Sequence, residues 1–145
     1  MLSKASIYGI RALLYIELFG NEKYISIGDM SKKLDISFHF LTKILQSLKE
    51  KKLITSSQGP KGGVSLAKSA EKIFLIDIIR ILEGDKIFSQ CVLGLKGCGT
   101  KTPCPIHDDW TKIMEKIKKL YYSTTIKKLS EKIKKSKLRI SDLKI

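Results

Sequence analysis

The sequence predicts a mainly α-helical protein that carries one small β-hairpin. Apolar residues recur at helical spacing in several segments, beginning with residues 3 to 19. The glycine-rich turn "GPKGG" at residues 59 to 63 joins two runs that are typical of short strands. The length of 145 residues suits one domain, or a small domain with a long helical appendage.

The first predicted helix spans residues 3 to 19 and ends at Gly20-Asn21. Its start faintly resembles a secretion signal, but Arg11 and Glu17 interrupt the apolar run and no small-residue cleavage site follows. No stretch of the chain is long and apolar enough to span a bilayer. We therefore expect a mature helix in a cytoplasmic protein. Its apolar stripe consists of Ile7, Ile10, Leu13, Leu14, Ile16 and Leu18.

Two further helices are predicted next, joined by the turn "DIS" at residues 35 to 37. Ser26 is placed to cap the first of them, and Ser37 is placed to cap the second, which runs to about residue 52. Two short helices in this arrangement predict a helix-turn-helix motif, whose second helix can lie in a DNA major groove. The buried positions expected in this pair are Ile27, Met30, Leu34, Phe40 or Leu41, Ile44, Leu45 and Leu48.

Two short strands, at about residues 53 to 57 and 63 to 67, follow the second of these helices. The glycines of the connecting turn permit positive φ, and Pro60 stiffens its tip. A hairpin at this place in the chain is a wing. Its tip offers Lys61 and bare backbone N–H groups, which suit a phosphate or a minor groove.

A fourth helix is expected at residues 71 to 84, and a long C-terminal helix from about residue 108 to 135. Residues 85 to 107 show no convincing periodicity, and such a run inside a small domain is usually functional or disordered. We therefore expect three units. They are a winged helix-turn-helix DNA-binding domain at 1–84, a cysteine-rich loop at 85–107, and a dimerisation helix with a tail at 108–145.

The net charge of +14 predicts an anionic partner, because such an excess destabilises a compact protein by self-repulsion. Nucleic acid is the commonest partner of this kind, and an anionic membrane surface is the next. A membrane-surface role leaves the wing unexplained. The remaining explanation is that lysine simply covers solvent-exposed faces.

All three cysteines and one of the two histidines lie in the segment "CVLGLKGCGTKTPCPIH", residues 91 to 107. Thiolate and imidazole are ligands that zinc, copper and iron–sulfur clusters prefer. The wide gaps between Cys91, Cys98 and Cys104 favour a cluster over structural zinc, which prefers paired C-x-x-C knuckles. Zinc, redox-active free thiols and no role at all stay open, and His107 is equally well placed to cap the C-terminal helix.

The cysteine count also bears on the class of protein. Three is an odd number, which fits a reduced compartment with metal chemistry better than a disulfide framework. An enzyme such as a thiol oxidoreductase is not indicated, because the chain has no C-x-x-C motif, nucleophile elbow or phosphate loop.

The helix-turn-helix, the "SSQGPKGG" wing and the three cysteines before a long helix together resemble the Rrf-two family of bacterial winged-helix transcription regulators. The resemblance extends from about residue 3 to residue 135. Within the family it is similar to the IscR-like and NsrR-like subgroups, which are dimers that carry an iron–sulfur cluster on three cysteines. The resemblance thus implies a regulator that senses redox, nitric oxide or iron–sulfur status.

The fourth cluster ligand separates the two subgroups. IscR-like proteins use a histidine shortly after the last cysteine, where this chain has His107, and a tryptophan follows here at Trp110. NsrR-like proteins can use a carboxylate from the first helix of the other subunit, where this chain has Tyr8. The resemblance therefore implies a 2Fe-2S cluster, favoured over 4Fe-4S. The implied ligands are Cys91, Cys98, Cys104 and His107.

The resemblance further implies which residues contact double-stranded DNA. His39, Thr42 and Lys43 come near base edges or phosphates, and Ser37, Lys43 and Lys61 hold phosphates. Thr42 and Gln58 replace a glutamate and an arginine with which IscR-like proteins discriminate among operators, so we expect a different operator. The wing contacts are Gln58, Gly59, Pro60, Lys61 and Gly62.

An apolar stripe on the C-terminal helix is expected to form the seam of a homodimer. The seam sets two recognition helices about one DNA turn apart on a near-palindromic operator. The alternative is that the stripe packs against its own domain. For the protein as a whole, the alternative function is that of a winged-helix DNA-binding regulator with structural zinc or no metal in the cysteine-rich loop. The stripe consists of Trp110, Ile113, Met114, Ile117, Leu120 and Tyr121.

Overall fold

A computed structural model describes residues 1–21 and 23–142 of the chain. It confirms the predicted fold class, since these residues form α-helices and one two-stranded antiparallel sheet. No helix in these two ranges is both long and apolar enough to cross a membrane. The elements are α1 Lys4–Phe19, α2 Ile27–Leu34, α3 Phe38–Glu50, β1 Ile54–Ser57, β2 Gly63–Leu66, α4 Leu75–Glu83, α5 His107–Ser123 and α6 Ile126–Ser136, with 3₁₀ turns at Ala70–Lys72 and Asp85–Phe88.

Helix α1 lies at the centre of the fold and packs against α3, α4 and α6. Its start is capped by Ser3, whose side chain accepts a hydrogen bond from the Ser6 backbone. A Cβ atom added at Gly9 would lie 2.6 Å from a side-chain carbon of Leu82, so α1 and α4 approach each other closely at this position. The core therefore depends on small residues on α1 as well as on large apolar ones. Fully buried core side chains are Leu13, Met30, Leu34, Leu41, Leu45, Leu48, Ile73, Ile78, Ile79 and Ile126.

The helix-turn-helix forms as predicted. Ser26 caps α2 by accepting a hydrogen bond from the Asp29 backbone, and Asp35 takes a left-handed conformation with φ of 53° that ends this helix. Buried Ile36 then anchors the turn to the core. Ser37 occupies the cap position of α3, but its side chain makes no capping hydrogen bond.

The wing also forms as predicted, with β1 and β2 paired from Ile54 opposite Leu66 to Ser57 opposite Gly63. The segment before α2 adds to the hairpin, because Ile25 and Val64 exchange backbone hydrogen bonds of 2.8 and 2.9 Å. Gly63 has a φ of 146°, and an added Cβ there would collide with the Ile25 backbone. The wing is thus attached both to the segment before α2 and to α3.

The prediction of one continuous helix from about residue 108 to 135 is wrong, because the chain breaks at Thr124 and Thr125 into α5 and α6. The break pairs with the segment before α4. Leu75 N–H donates to Thr124 O at 3.0 Å, and Ile126 N–H donates to Ile73 O at 2.9 Å. Thr125 then caps α6 by accepting a hydrogen bond from a backbone N–H. This strand-like contact turns α6 back onto α1.

Candidate metal centre and nucleic-acid interface

The cysteine-rich segment between α4 and α5 contains one 3₁₀ turn, Asp85–Phe88, followed by irregular backbone up to α5. Gly94 and Gly97 have φ values of 69° and 70°, which favour glycine because it lacks a Cβ. The Thr102 hydroxyl donates to Gly97 O at 2.8 Å and holds part of the loop in a compact turn. The backbone thus winds so that its cysteines face a common point.

The structure brings together the four side chains that the sequence singled out as ligands. The sulfur atoms of Cys91, Cys98 and Cys104 all lie within 4.8 Å of one another. They divide with His107 into two close pairs, because Cys91 Sγ lies 3.6 Å from Cys104 Sγ and Cys98 Sγ lies 3.4 Å from His107 Nδ1. His107 is the first residue of α5 and not its cap, since Ile106 takes the cap position.

These distances fit metal ligation. Two sulfur atoms bound to one tetrahedral metal ion at about 2.3 Å lie about 3.8 Å apart, which is close to the observed Cys91–Cys104 separation. Three thiolates and one imidazole are a donor set that accommodates zinc, and histidine also replaces cysteine in some two-iron clusters. The four residues therefore fit either kind of centre.

The loop changes the acidity of its thiols in opposite directions. The backbone N–H groups of Leu95 and Leu93, with weaker hydrogen bonds from the neighbouring thiols, lower the pKa of Cys91 to about 7. Burial raises the pKa of the Cys98 thiol. Because a thiolate is the form that binds metal, Cys91 is the cysteine best prepared to bind at neutral pH.

The candidate metal centre opens onto a cavity of about 240 Å³, which Cys91, Cys98 and His107 line on one side. Cys104 is the buried member of the set, at 8% exposure. Trp110 also lines the cavity, and its indole N–H donates to Gln90 O at 3.2 Å. The centre therefore borders a cavity lined by three of its four candidate ligands, Cys91, Cys98 and His107.

Residues 85–90 connect the candidate metal centre to α4, the last helix of the winged half, which consists of α1 to α4 and the wing. Arg80 on α4 donates to the Asp85 carboxylate at 2.6 Å and to the Tyr122 hydroxyl at 2.5 Å. Phe88 packs edge-on against Tyr121, with ring centroids 6.2 Å apart. The segment is thus attached to α4 and to the end of α5 before it reaches Cys91.

The outer face of α3 carries the residues that the sequence predicted for DNA contact. Ser37, His39 and Lys43 are exposed and Thr42 is partly exposed. Sequence reasoning did not include Phe38 and Gln46, which are exposed on the same helix. The signal that could have found them is the helical spacing of 38, 42 and 46, which places all three on one side.

The wing tip likewise presents its predicted residues to solvent. Gln58, Gly59, Pro60 and Lys61 are exposed, and Gly62 is partly exposed. Gly62 N–H donates to Gly59 O at 2.9 Å and closes the turn. Winged-helix proteins in general use the corresponding surfaces, the recognition helix and the wing, to contact DNA.

The predicted stripe on α5 is divided between two surroundings. Met114 is buried and Tyr121 packs on Phe88, so these two residues contact their own chain. Ile113 and Leu120 are 49% and 57% exposed. Trp110 and Ile117 are partly exposed. The surface available for a partner is thus narrower than the sequence predicted.

Comparison with known proteins agrees with this arrangement. Residues 2–132 match the family model described as "Rrf2: Iron-dependent Transcriptional regulator". Over 124 residues the chain is 31% identical to a protein of Aquifex aeolicus named as an HTH-type transcriptional regulator, covering 84% of this chain and 85% of that one. The chain belongs to the Rrf2 family. IscR-type regulators are among its relatives, as the resemblance in the sequence indicated.

Two further Rrf2 relatives are consistent with this assignment. The transcriptional regulator IscR of Xenorhabdus nematophila is 27% identical over 122 residues, which cover 84% of this chain and 74% of that protein. The solved structure of T. potens IscR matches with a TM-score of 0.75 at 24% identity, covers 96% of this chain and 92% of that one, and supports the fold alone. The family consists of DNA-binding transcription regulators, a non-enzymatic class.

Proposed function

We propose that this Rrf2 regulator senses redox, nitric oxide or iron–sulfur status through a cluster held by Cys91, Cys98, Cys104 and His107. The observation that carries the proposal is the convergence of these four donors. The three sulfur atoms lie within 4.8 Å of one another and Cys98 Sγ lies 3.4 Å from His107 Nδ1, although five or six residues separate the cysteines in the chain. The rest of the loop is largely exposed, so apolar packing does not account for the convergence.

The division of the donors into two pairs favours a 2Fe-2S cluster over a 4Fe-4S cluster. A two-iron cluster takes two protein ligands on each iron, and a histidine replacing a cysteine is known chemistry for this type. The competing function is a regulator with structural zinc, for which the same Cys₃His set is suitable. When bound, a cluster supplies redox chemistry and sensitivity to oxidants and nitric oxide, which zinc does not supply.

The protein's own residues couple the metal centre to the DNA-binding surface. Cys91 and His107 stand at the two ends of the loop, so holding them together removes much of the loop's conformational freedom. His107 begins α5, and residues 85–90 lead back from Cys91 to α4. Helix α4 packs against α1 and α3, so loop order is transmitted to the position of the recognition helix.

The partners are a near-palindromic DNA operator and a second copy of the chain. Ile113 and Leu120 form the exposed apolar part of α5, and Ile117 lies between them at helical spacing. Rrf2 regulators typically act as dimers, and this face is the dimer seam that we propose. A Leu120→Lys variant should then sediment as a monomer at concentrations at which the unmodified chain is a dimer.

Spectroscopy with iron and sulfide analysis on protein purified without air tests the cofactor. We expect a brown protein with two irons and two sulfides per chain, values that define a 2Fe-2S centre. His107→Ala should shift the visible spectrum and weaken cluster retention, whereas His39→Ala, which changes the other histidine, should leave both unchanged. Colourless, iron-free protein after reconstitution contradicts the proposal, and one bound zinc per chain supports the competing function.

Operator affinity measured with cluster-loaded and cluster-free protein tests the sensing step. We expect the two forms to differ in affinity for at least one DNA site by about fivefold or more, the usual lower range of coupling between two sites. Equal affinity of both forms for every selected DNA sequence contradicts sensing but leaves the DNA-binding function intact.

A further inference from the structure

The outer face of α3 presents more side chains for base contact than the sequence predicted. The buried face of α3 consists of Leu41, Ile44, Leu45 and Leu48. On the opposite side, positions at intervals of three and four residues share one surface of the helix. That surface consists of Phe38, His39, Thr42, Lys43 and Gln46, all of them exposed or partly exposed.

Phe38 is unusual because it is a large apolar side chain that the core does not use. It is 49% exposed at the first turn of α3, whereas Leu41, one turn further on, is fully buried. Its ring stands edge-on to His39, with centroids 5.9 Å apart. In a major groove, the apolar group that such a side chain can cover is the methyl group of thymine.

Thr42 strengthens the apolar character of this end of the helix. Its hydroxyl donates to Phe38 O at 2.7 Å, so its hydrogen bond is made within the helix. The methyl group of Thr42 remains for contact with a base. The first two turns of α3 therefore present Phe38 and Thr42 as an apolar pair, which is suited to thymine and not to guanine.

Gln46 lies two turns beyond Phe38 on the same surface and is exposed. Its amide carries both a donor and an acceptor, and this combination pairs with the N6 and N7 edge of adenine. Eight residues of helix span about 12 Å, which corresponds to about three to four base pairs along the groove.

We propose that Phe38 and Gln46 are specificity-determining residues, with Phe38 against a thymine methyl group and Gln46 on an adenine edge. Each operator half-site then contains two A·T pairs, separated by about three to four base pairs. The inference rests on the operator binding proposed above and adds the class of bases that the site reads.

Selection from a random duplex library with the full-length protein gives the half-site sequence. Replacing each selected thymine by uracil then removes one methyl group and keeps every hydrogen bond. At one position we expect a loss of affinity of about three- to fivefold, the value of one buried methyl group. Phe38→Ala should be insensitive to that replacement. The matched control is Phe19→Ala, which removes another exposed phenylalanine, on α1, and should keep the sensitivity.

Gln46 is tested on the same half-site by replacing each A·T pair with G·C. At one position the unmodified protein should lose affinity by about fivefold to a hundredfold, and Gln46→Ala should lose less than about threefold there. Preferences at all other positions should be unchanged. Thermal unfolding of both variants should match that of the unmodified chain, since both side chains are at the surface.

The results separate this inference from the function on which it rests. If the library yields no preferred sequence, operator binding fails and the inference falls with it. If a half-site is selected but uracil sensitivity persists in Phe38→Ala, or every base preference persists in Gln46→Ala, the inference alone is wrong.

Discussion

In the winged half of the chain, each of α1 to α4 contributes side chains that are almost completely buried. In the loop at residues 89–106, by contrast, only Cys104 is buried. Val92, Leu93 and Leu95 in that loop are 45%, 56% and 53% exposed. The winged half is therefore stabilised by apolar burial. The loop has no comparable core, and under the proposed function its order depends on what its four donors bind.

This difference suits a sensor. A well-packed domain responds as a unit to a displacement at its edge, because its interior has low compressibility and transmits strain. A segment with few buried contacts opens at low free energy, and a metal can therefore change its order. Under the proposed function, the chain thus places a stable winged unit beside a segment whose structure depends on a bound cofactor.

The largest expected effect is a difference in the free energy of unfolding between two similar side-chain truncations, one in each region. Ile79→Ala in the core should lower the free energy of unfolding of metal-free protein by about 3 kcal/mol, since it leaves a cavity. Leu93→Ala in the loop should lower it by less than about 0.5 kcal/mol, because that side chain is already exposed. Urea unfolding measures both. A loop variant as destabilised as the core variant contradicts the comparison.

The same contrast explains how much the sequence could predict. The winged half has local signals, such as the cap Ser26 and the glycine-rich wing turn, and its predicted elements were confirmed to within a few residues. The break at Thr124 and Thr125 could not be predicted, because its cause is a backbone contact with residues about fifty positions earlier.

In the loop, the sequence identified the four donors by residue type, and the structure brings them together. It could not give their pairing, because the order along the chain, Cys91 to Cys98 to Cys104, does not indicate that the first and third sulfur atoms lie 3.6 Å apart. On α5, periodicity could not divide the apolar stripe, because Phe88, the partner of Tyr121, comes from the short 3₁₀ turn after α4.

The next largest effect concerns cofactor loading. Saturating metal or cluster should raise the Tm of the unmodified chain by about 5–10 °C, the gain for binding at a hundred times Kd in a domain of this size. Cys98→Ala should lose this gain and keep the Tm of the metal-free form. Lys101→Ala, an exposed change in the same loop, should keep it. Equal gains in all three proteins place the bound metal elsewhere.

A smaller effect is expected at the C-terminal tail, which is irregular like the loop but docks on the winged half. Arg11 donates to Leu34 O at 2.7 Å and to Ile140 O at 2.6 Å. Arg11→Met should lower the free energy of unfolding by about 1–3 kcal/mol, because both carbonyls lose their donor. Arg139→Met, at an exposed site in the tail, is the control. No difference between the two variants means that the tail is not docked.

The smallest effect is expected where the two regions join. The Arg80–Asp85 ion pair has side chains 43% and 76% exposed, so water already solvates both charges in either state. Asp85→Asn should therefore shift the Tm by no more than about 2 °C. Asp142→Asn, which changes the exposed partner of Arg139, provides the matched comparison. A shift for Asp85→Asn as large as that for Arg11→Met shows that the junction belongs to the packed half, and the boundary between the two regions then lies nearer to Cys91.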